Sequence, residues 1–370
     1  MTVQFRNARV LRPDRTWAEN CPVTVENGII RSVGADCAAD RVVDLGGRYL
    51  APGLVDIHTH GRLGYDFTTA TSDELRVLKA DYARHGVTSV FATFASATPE
   101  EWLTAIDRVR DAGFDGIHFE GRYLNPKKRG AHAPELLAPL NAEELAVFLR
   151  RAEGMPCHVT AALELDADGS FARKALSLGA TLALGHTEAT YAEAQTALDR
   201  GANCFTHLCN AMPPLHHRAG GPICAALISD AYTELIVDGM HVAPETVRLI
   251  WRVKGPDRFV LVTDSINPAG KEDGNYTSAG MPVVVRNGRA ETVEGVLAGS
   301  MLDLWSAVRN LMNFTGAPLA DALICASLNP ARAVGIDGMV GSIEEGKRAD
   351  LISIDDGLQL CGIWQNGVSL

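Results

Sequence analysis

The eight cysteines of this 370-residue chain form no Cys-x-x-Cys pair and no regular spacing, so a disulfide framework is not indicated. A chain this long buries cysteines as small apolar side chains, and free thiols in a reducing compartment are the expectation. No apolar run approaches the roughly 18 residues of a membrane span. The opening MTVQFRNARVLRPDR lacks the basic-then-apolar layout of a secretory signal, and a cytoplasmic location is expected. Basic residues are in the minority, 34 against 45 acidic, for a net charge of −11. That balance speaks against nucleic acid as a partner, because a phosphate backbone needs clustered cations. It leaves room for a small phosphorylated ligand, which needs only two or three local donors. Internal repeats and low-complexity linkers are absent as well.

What is present suits one large α/β barrel, which alone takes about 250 residues, with a minor domain beside it. Residues 1–50 read as strands and turns, with Val23–Val25 leading into Asn27-Gly28, a type I′ hairpin signal, and then Ile29–Val33. The segment 341–370 has the same character, with Ala349–Ile354 and a second Asn-Gly at Asn366-Gly367. Neither end is long enough to bury a core alone, so the two are expected to pair into one small β-sandwich domain. Between them, residues 51–340 alternate apolar runs with helical stretches, the pattern of a (β/α)8 TIM barrel. Eight runs are found, at Leu54–His58, Thr88–Phe94, Asp115–Phe119, Cys157–Glu164, Thr181–His186, Asn203–His207, Glu234–Asp238 and Phe259–Thr263. Helices are expected at Asp73–His85, Pro99–Ala112, Ala142–Ala152 and Glu188–Arg200, and a hairpin at Met281–Ser300, around Asn287-Gly288.

A barrel of this kind carries its chemistry at the C-terminal ends of its strands. Strand one runs into His58-Thr59-His60, strand three ends in Glu120, strand five in His186, strand six in His207 and strand eight in Asp264. A lone histidine at a strand end is usually a hydrogen-bonded surface or core residue, and a lone carboxylate there is usually a helix cap. Four histidines and two carboxylates at the matching end of five strands are poorly explained that way. Imidazole plus carboxylate without thiolate is a hydrolytic Zn2+ or Fe2+ ligand set. In His-x-His on a strand, both rings point to one side and can reach one ion.

The stretch Leu54–Gly61 and the segment Val340–Leu351 resemble the N- and C-terminal signatures of the amidohydrolase superfamily. Glu120-Gly121, Lys128–His132, Thr206–Leu215 with His217-Arg218, Asp238–His241 and Leu261–Asp264 are similar to the N-acetylglucosamine-6-phosphate deacetylases within it. The resemblance spans nearly the whole chain. It implies that Glu120, His186 and His207 hold a principal divalent metal ion. His58 and His60 would complete a second site, giving one or two ions per subunit, and Asp264 would be the catalytic acid and base. His132 would approach the acetamido carbonyl or ring hydroxyls, and Asn210 and Ala211 would face the ligand. Arg218 and His241 would bind the 6-phosphate, with Arg218 reaching across a homodimer into the neighbouring site. The implied ligand is an amino sugar phosphate, losing its acetyl group by metal-dependent hydrolysis.

This chain departs from the family pattern at several points. Arg122 follows Glu120-Gly121 where the family usually has proline, and it is expected to reshape the sugar pocket or bring in another anion. Ala219-Gly220-Gly221 replaces Glu-Pro-Gly, Phe91–Ser96 replaces a Leu-Pro-Thr type of segment, and Leu163-Glu164 stands for Pro-Glu. The galacto epimer, another N-acyl compound and a non-catalytic sugar-phosphate sensor stand as rival readings. His85, His118 and His158 are read as structural.

Overall fold

The computed structural model describes residues 1–370. Eight parallel strands pair in strict chain order, each with the next. They are β1 (Leu54–Thr59), β2 (Val87–Phe94), β3 (Gly116–Glu120), β4 (Cys157–Ala161), β5 (Thr181–Leu184), β6 (Cys204–Phe205), β7 (Tyr232–Ile236) and β8 (Phe259–Val262). All eight expected strands are present. The barrel closes just past β8, where Asp264 donates to the His58 carbonyl and His60 to that of Ser265, each at 2.8 Å. Every residue of β1, β2, β3, β4 and β8 is buried, as a parallel sheet covered on both faces requires.

Eight helices form the outer ring: α1 (Ser72–Arg84), α2 (Pro99–Ala112), α3 (Ala142–Arg151), α4 (Ser170–Ser177), α5 (Tyr191–Asp199), α6 (Gly221–Ile228), α7 (Pro244–Lys254) and α8 (Leu304–Thr315). The four expected from sequence are among them. Helices α1, α2 and α5 each begin with a reciprocal capping box, from Thr71 with Glu74, Thr98 with Glu101 and Thr190 with Glu193. The α2 helix stops at Gly113 in the left-handed conformation, which a glycine adopts without strain. These stops and starts fix where each strand end emerges, and the strand ends carry the site.

The two chain ends meet in one sheet. Leu351–Ile354 pairs antiparallel with Tyr49–Pro52, within a six-stranded sheet that also holds Arg9–Leu11 and Leu360–Gln365. A four-stranded sheet of Thr2–Arg6, Val23–Glu26, Ile29–Val33 and Arg41–Asp44 faces it. Phe5, Val23, Leu351 and Trp364 fill the space between the sheets, with the Phe5 and Trp364 rings edge to face at 4.9 Å. The insert after β8 has one strand more than the expected hairpin: Gly274–Ser278 joins Met281–Arg286 and Arg289–Thr292 in a three-stranded sheet. Its inner face packs Val283, Val285 and Ala290 against Ile266 and Ala298. No disulfide is formed, and no helix is long and apolar enough to cross a membrane.

Candidate metal centre and pocket

Three of the strand-end residues interrupt their strands. His186, His207 and Asp264 have φ of +47°, +27° and +48°, in the left-handed region that costs a residue other than glycine on the order of 1–3 kcal/mol. A strand cannot continue through such a residue. The strands β5, β6 and β8 end two residues earlier, at Leu184, Phe205 and Val262, and the three side chains line one cavity.

The six strand-end groups converge around Glu120, whose two oxygens face two different sets of partners. Oε1 lies 3.0 Å from His207 Nε2 and 3.1 Å from His186 Nε2, and these two ring nitrogens are 3.0 Å apart. Oε2 lies 2.9 Å from His60 Nε2 and 3.3 Å from His58 Nε2. Asp264 Oδ1 closes the second set, 3.3 Å from His60 and 3.4 Å from His58. Donor atoms around one tetrahedral ion at about 2.0–2.1 Å stand about 3.3 Å from one another, so both spacings suit a divalent cation. His58 Nε2 and His207 Nδ1 are buried without a hydrogen-bond partner, and an orphaned His58 Nε2 between two carboxylates fits a lone pair reserved for metal. The residues present therefore fit the group, with Glu120 facing both sets of donors. Burial opposes the charge of Glu120, but His58, His186 and His207 hold its carboxyl well below the usual range.

The surroundings orient each ring. His186 Nδ1 donates to the Lys128 carbonyl at 2.7 Å, which leaves Nε2 for the cluster. His132 sits beside the cluster, its Nε2 3.7 Å from Glu120 Oε2. Burial and the neighbouring His186 push its pKa down to about 3. The Ser96 backbone N–H donates to His132 Nδ1 at 3.3 Å, so the neutral ring carries its proton on Nε2 and presents a donor to the pocket.

Above the cluster opens a cavity of about 360 Å³, within the range of small-molecule sites. Glu120, His60, His132, His186, His207 and Asp264 form its floor, and Asn210, Ala211 and His241 line it further out. His241 Nδ1 is held by Asp238 Oδ2 at 2.7 Å, leaving Nε2 free. The insert supplies an apolar wall of Val283, Val296, Leu297 and Ala298 opposite the histidines. His58 lies below the floor, fully buried. Arg218 is the other expected site residue that does not line the cavity, and it lies on the exposed loop between β6 and α6.

Arg122 does not enter the pocket, contrary to expectation. Its guanidinium turns outward to α3, 3.2 Å from both oxygens of Glu144, and donates to the Ala97 carbonyl at 2.8 Å. Its φ of +53° is closed to proline, whose ring holds φ near −65°. The exchange of proline for arginine thus changes the backbone path and locks α3, and brings no anion to the site. His118 and His158 are buried in the barrel interior, with His118 held by Thr93 and Thr160. Sequence reasoning missed Ser96, which sets the His132 tautomer, and Glu234, which contacts His58 at 3.0 Å. It also missed Lys127 at the cavity mouth.

Residues 49–366 match the amidohydrolase family. The chain is 34% identical to an N-acetylgalactosamine-6-phosphate deacetylase of Escherichia coli O157:H7 over 97% of each chain. It is 33% identical to an N-acetylglucosamine-6-phosphate deacetylase of Vibrio furnissii over 98% of this chain and 94% of the relative. The crystal structure of N-acetylglucosamine-6-phosphate deacetylase from Pasteurella multocida superimposes with a TM-score of 0.93 at 30% identity, covering 100% of both chains. A deacetylase variant from Mycobacterium smegmatis, solved in complex with N-acetyl-D-glucosamine-6-phosphate, gives a TM-score of 0.90 at 32% identity, covering 100% of this chain and 98% of that one. With the His and carboxylate cluster at the mouth of a (β/α)8 barrel and likeness along its whole length, the chain belongs to the amidohydrolase superfamily, as a deacetylase of the N-acetylglucosamine-6-phosphate and N-acetylgalactosamine-6-phosphate deacetylase family.

Proposed function

We propose that this enzyme hydrolyses the N-acetyl group of N-acetylglucosamine 6-phosphate, giving acetate and glucosamine 6-phosphate. The observation that carries the reading is the cluster of His58, His60, Glu120, His186, His207 and Asp264, whose facing atoms lie 2.9–3.4 Å apart at the floor of a sugar-sized cavity. Glu120, His186 and His207 would hold one Zn2+ or Fe2+ ion, and His58 and His60 a second. A divalent ion bound there supplies Lewis acidity, which polarises an amide carbonyl and lowers the pKa of water from about 15.7 toward 7. Asp264 accepts the proton of the attacking water and returns it to the departing amine. The Nε2–H of His132 donates to the acetyl oxygen as charge develops on it. Asn210 and Ala211 line the path of the sugar. His241 Nε2, with Lys127 and Lys128 at the mouth, offers positive or donor groups to the 6-phosphate.

A second reading, the galacto epimer, rests on the 34% identity to the Escherichia coli N-acetylgalactosamine-6-phosphate deacetylase, level with the 33% to the Vibrio furnissii N-acetylglucosamine-6-phosphate deacetylase. Acetate release from both epimers, with and without the 6-phosphate, decides between them. The gluco phosphate is expected to give the highest kcat/KM, and a preference for the galacto phosphate would replace the first reading by the second. Activity is expected to vanish with a chelator and return with Zn2+ or Fe2+. Full turnover in chelator by protein shown to be metal-free would sink the metal reading.

Arg218 is proposed to complete the phosphate site of the partner subunit in a homodimer. It lies on an exposed loop and does not line its own cavity. Leu215 on that loop, Ile228 in α6 and Leu249 and Val253 in α7 are exposed apolar side chains that an interface would bury. A charge-assisted bidentate contact contributes about 1.5–3 kcal/mol, so Arg218→Ala should lower kcat/KM for the phosphorylated substrate by roughly 10–100-fold. The unphosphorylated sugar should be turned over as before. Isolated mixed dimers of Arg218→Ala and Asp264→Asn subunits should recover toward half the wild-type dimer's activity, because one site regains both groups. Mixed dimers as poor as the Arg218→Ala homodimer, or a strictly monomeric protein, would reject the shared site.

A further inference from the structure

Glu234 is a carboxylate in the middle of β7, fully buried in the barrel interior below the cavity floor. A charge in such a place is costly unless several donors satisfy it, and its partners identify its purpose. Oε2 lies 3.0 Å from His58 Nδ1 and accepts from the His207 backbone N–H at 3.3 Å. Oε1 faces Cys204 Sγ at 3.9 Å and His158 Nε2 at 3.6 Å. The close contact is therefore the one to His58, and the His207 N–H holds the carboxylate at that spot.

The other rings of the cluster have weaker outer partners. His186 Nδ1 has a neutral carbonyl, while His60 Nδ1 and His207 Nδ1 have no hydrogen-bond partner. Of the four rings, His58 alone has its Nδ1 hydrogen-bonded to a carboxylate, and its ring is further confined by His118, edge on at 4.5 Å. We infer that Glu234 is a positioning residue for the His58 side of the metal site, fixing His58 as the Nδ1–H tautomer so that the Nε2 lone pair faces Glu120 and Asp264. The inference rests on the metal reading of the cluster. A carboxylate behind a ligating imidazole fixes its rotation and raises its basicity, and loss of such a partner typically weakens metal binding by about 10–100-fold.

Two measurements test it, neither of them turnover. In the Zn2+-loaded wild-type protein with 15N-labelled histidine, NMR should show His58 protonated at Nδ1 and not at Nε2. The signal is assigned by its absence in His58→Gln. In Glu234→Gln, competition with a chelator should show Zn2+ at the His58 side held roughly 10–100-fold less tightly, with binding at the His186 and His207 side within about 2-fold of wild type. In a His58→Ala background, Glu234→Gln should add no further loss. An Nε2–H tautomer of His58 overturns the inference, as does unchanged Zn2+ affinity in Glu234→Gln or equal weakening of both sides. If Glu234→Gln does not fold, Glu234→Asp, which keeps the charge but draws it back from His58, takes its place in the competition experiment, and unchanged Zn2+ affinity there overturns the inference. A wild-type protein that takes up no divalent ion refutes the metal reading itself, whereas metal binding indifferent to Glu234 refutes only this inference.

Discussion

Asp264→Asn is expected to lose about 10²–10⁴-fold in kcat while keeping its fold and the metal held by Glu120, His186 and His207. The backbone of residue 264 is fixed without its side chain, since its N–H donates to the His58 carbonyl at 2.8 Å and its carbonyl accepts from Ser300 at 2.7 Å. Its φ of +48° is a conformation that asparagine tolerates better than most residues, so the substitution adds no strain. What changes is proton affinity. Burial opposes ionisation of Asp264, but His58 and His60 beside it outweigh that and hold the carboxyl below its ordinary value. The carboxylate is thus ionised at neutral pH and free to accept a proton, whereas an amide is not. Steady-state kinetics with metal analysis of the same sample checks this. A variant that keeps more than about a tenth of wild-type kcat would remove Asp264 from the proton-transfer role.

The same geometry explains which parts of the site were legible beforehand. A parallel barrel buries both faces of its strands, so they stand out as short apolar runs, and His58, Glu120 and Asp264 could be placed at their ends. The expected strands Thr181–His186 and Asn203–His207 nevertheless run past the observed Thr181–Leu184 and Cys204–Phe205. The overshoot falls on the functional histidines, whose left-handed φ is set by tertiary contacts and has no signature in propensity. Full burial also hid Glu234. Where Thr233 and Glu234 are both inaccessible, alternation does not tell which faces the axis. Arg122 misled for a related reason, because adjacency to Glu120 in sequence says nothing of direction when φ at Arg122 is +53°. Ser96 reaches His132 Nδ1 through both its backbone N–H at 3.3 Å and its hydroxyl at 2.9 Å, but it lies 36 residues from that histidine in sequence, so no local pattern paired them.

Glu120→Gln is expected to cost more than any other single substitution at the floor of the pocket, because one carboxylate serves both halves of the cluster. With Oε1 3.0 Å from His207 and Oε2 2.9 Å from His60, both oxygens are committed. Glutamine keeps the shape but offers one oxygen, and its NH2 is a donor that does not ligate a cation. Whichever way the amide turns, one half gains a group that repels metal. The removed charge also faces both halves of the cluster, and a buried cation left with less counter-charge is strongly destabilised. The metal-bound protein should therefore lose at least one ion, or its single ion where only one is held. Losing one electrostatic stabiliser costs about 10²–10³-fold in kcat, and impaired metal retention adds to that, so kcat/KM should fall by at least about 10³-fold. Arg122→Ala is the control, since its guanidinium turns to Glu144 and its loss should leave metal content and KM near wild type. Metal analysis with kinetics at saturating Zn2+ separates the two contributions. A Glu120→Gln enzyme with full metal content and more than about a tenth of wild-type kcat/KM would mean that Glu120 is not needed to hold metal.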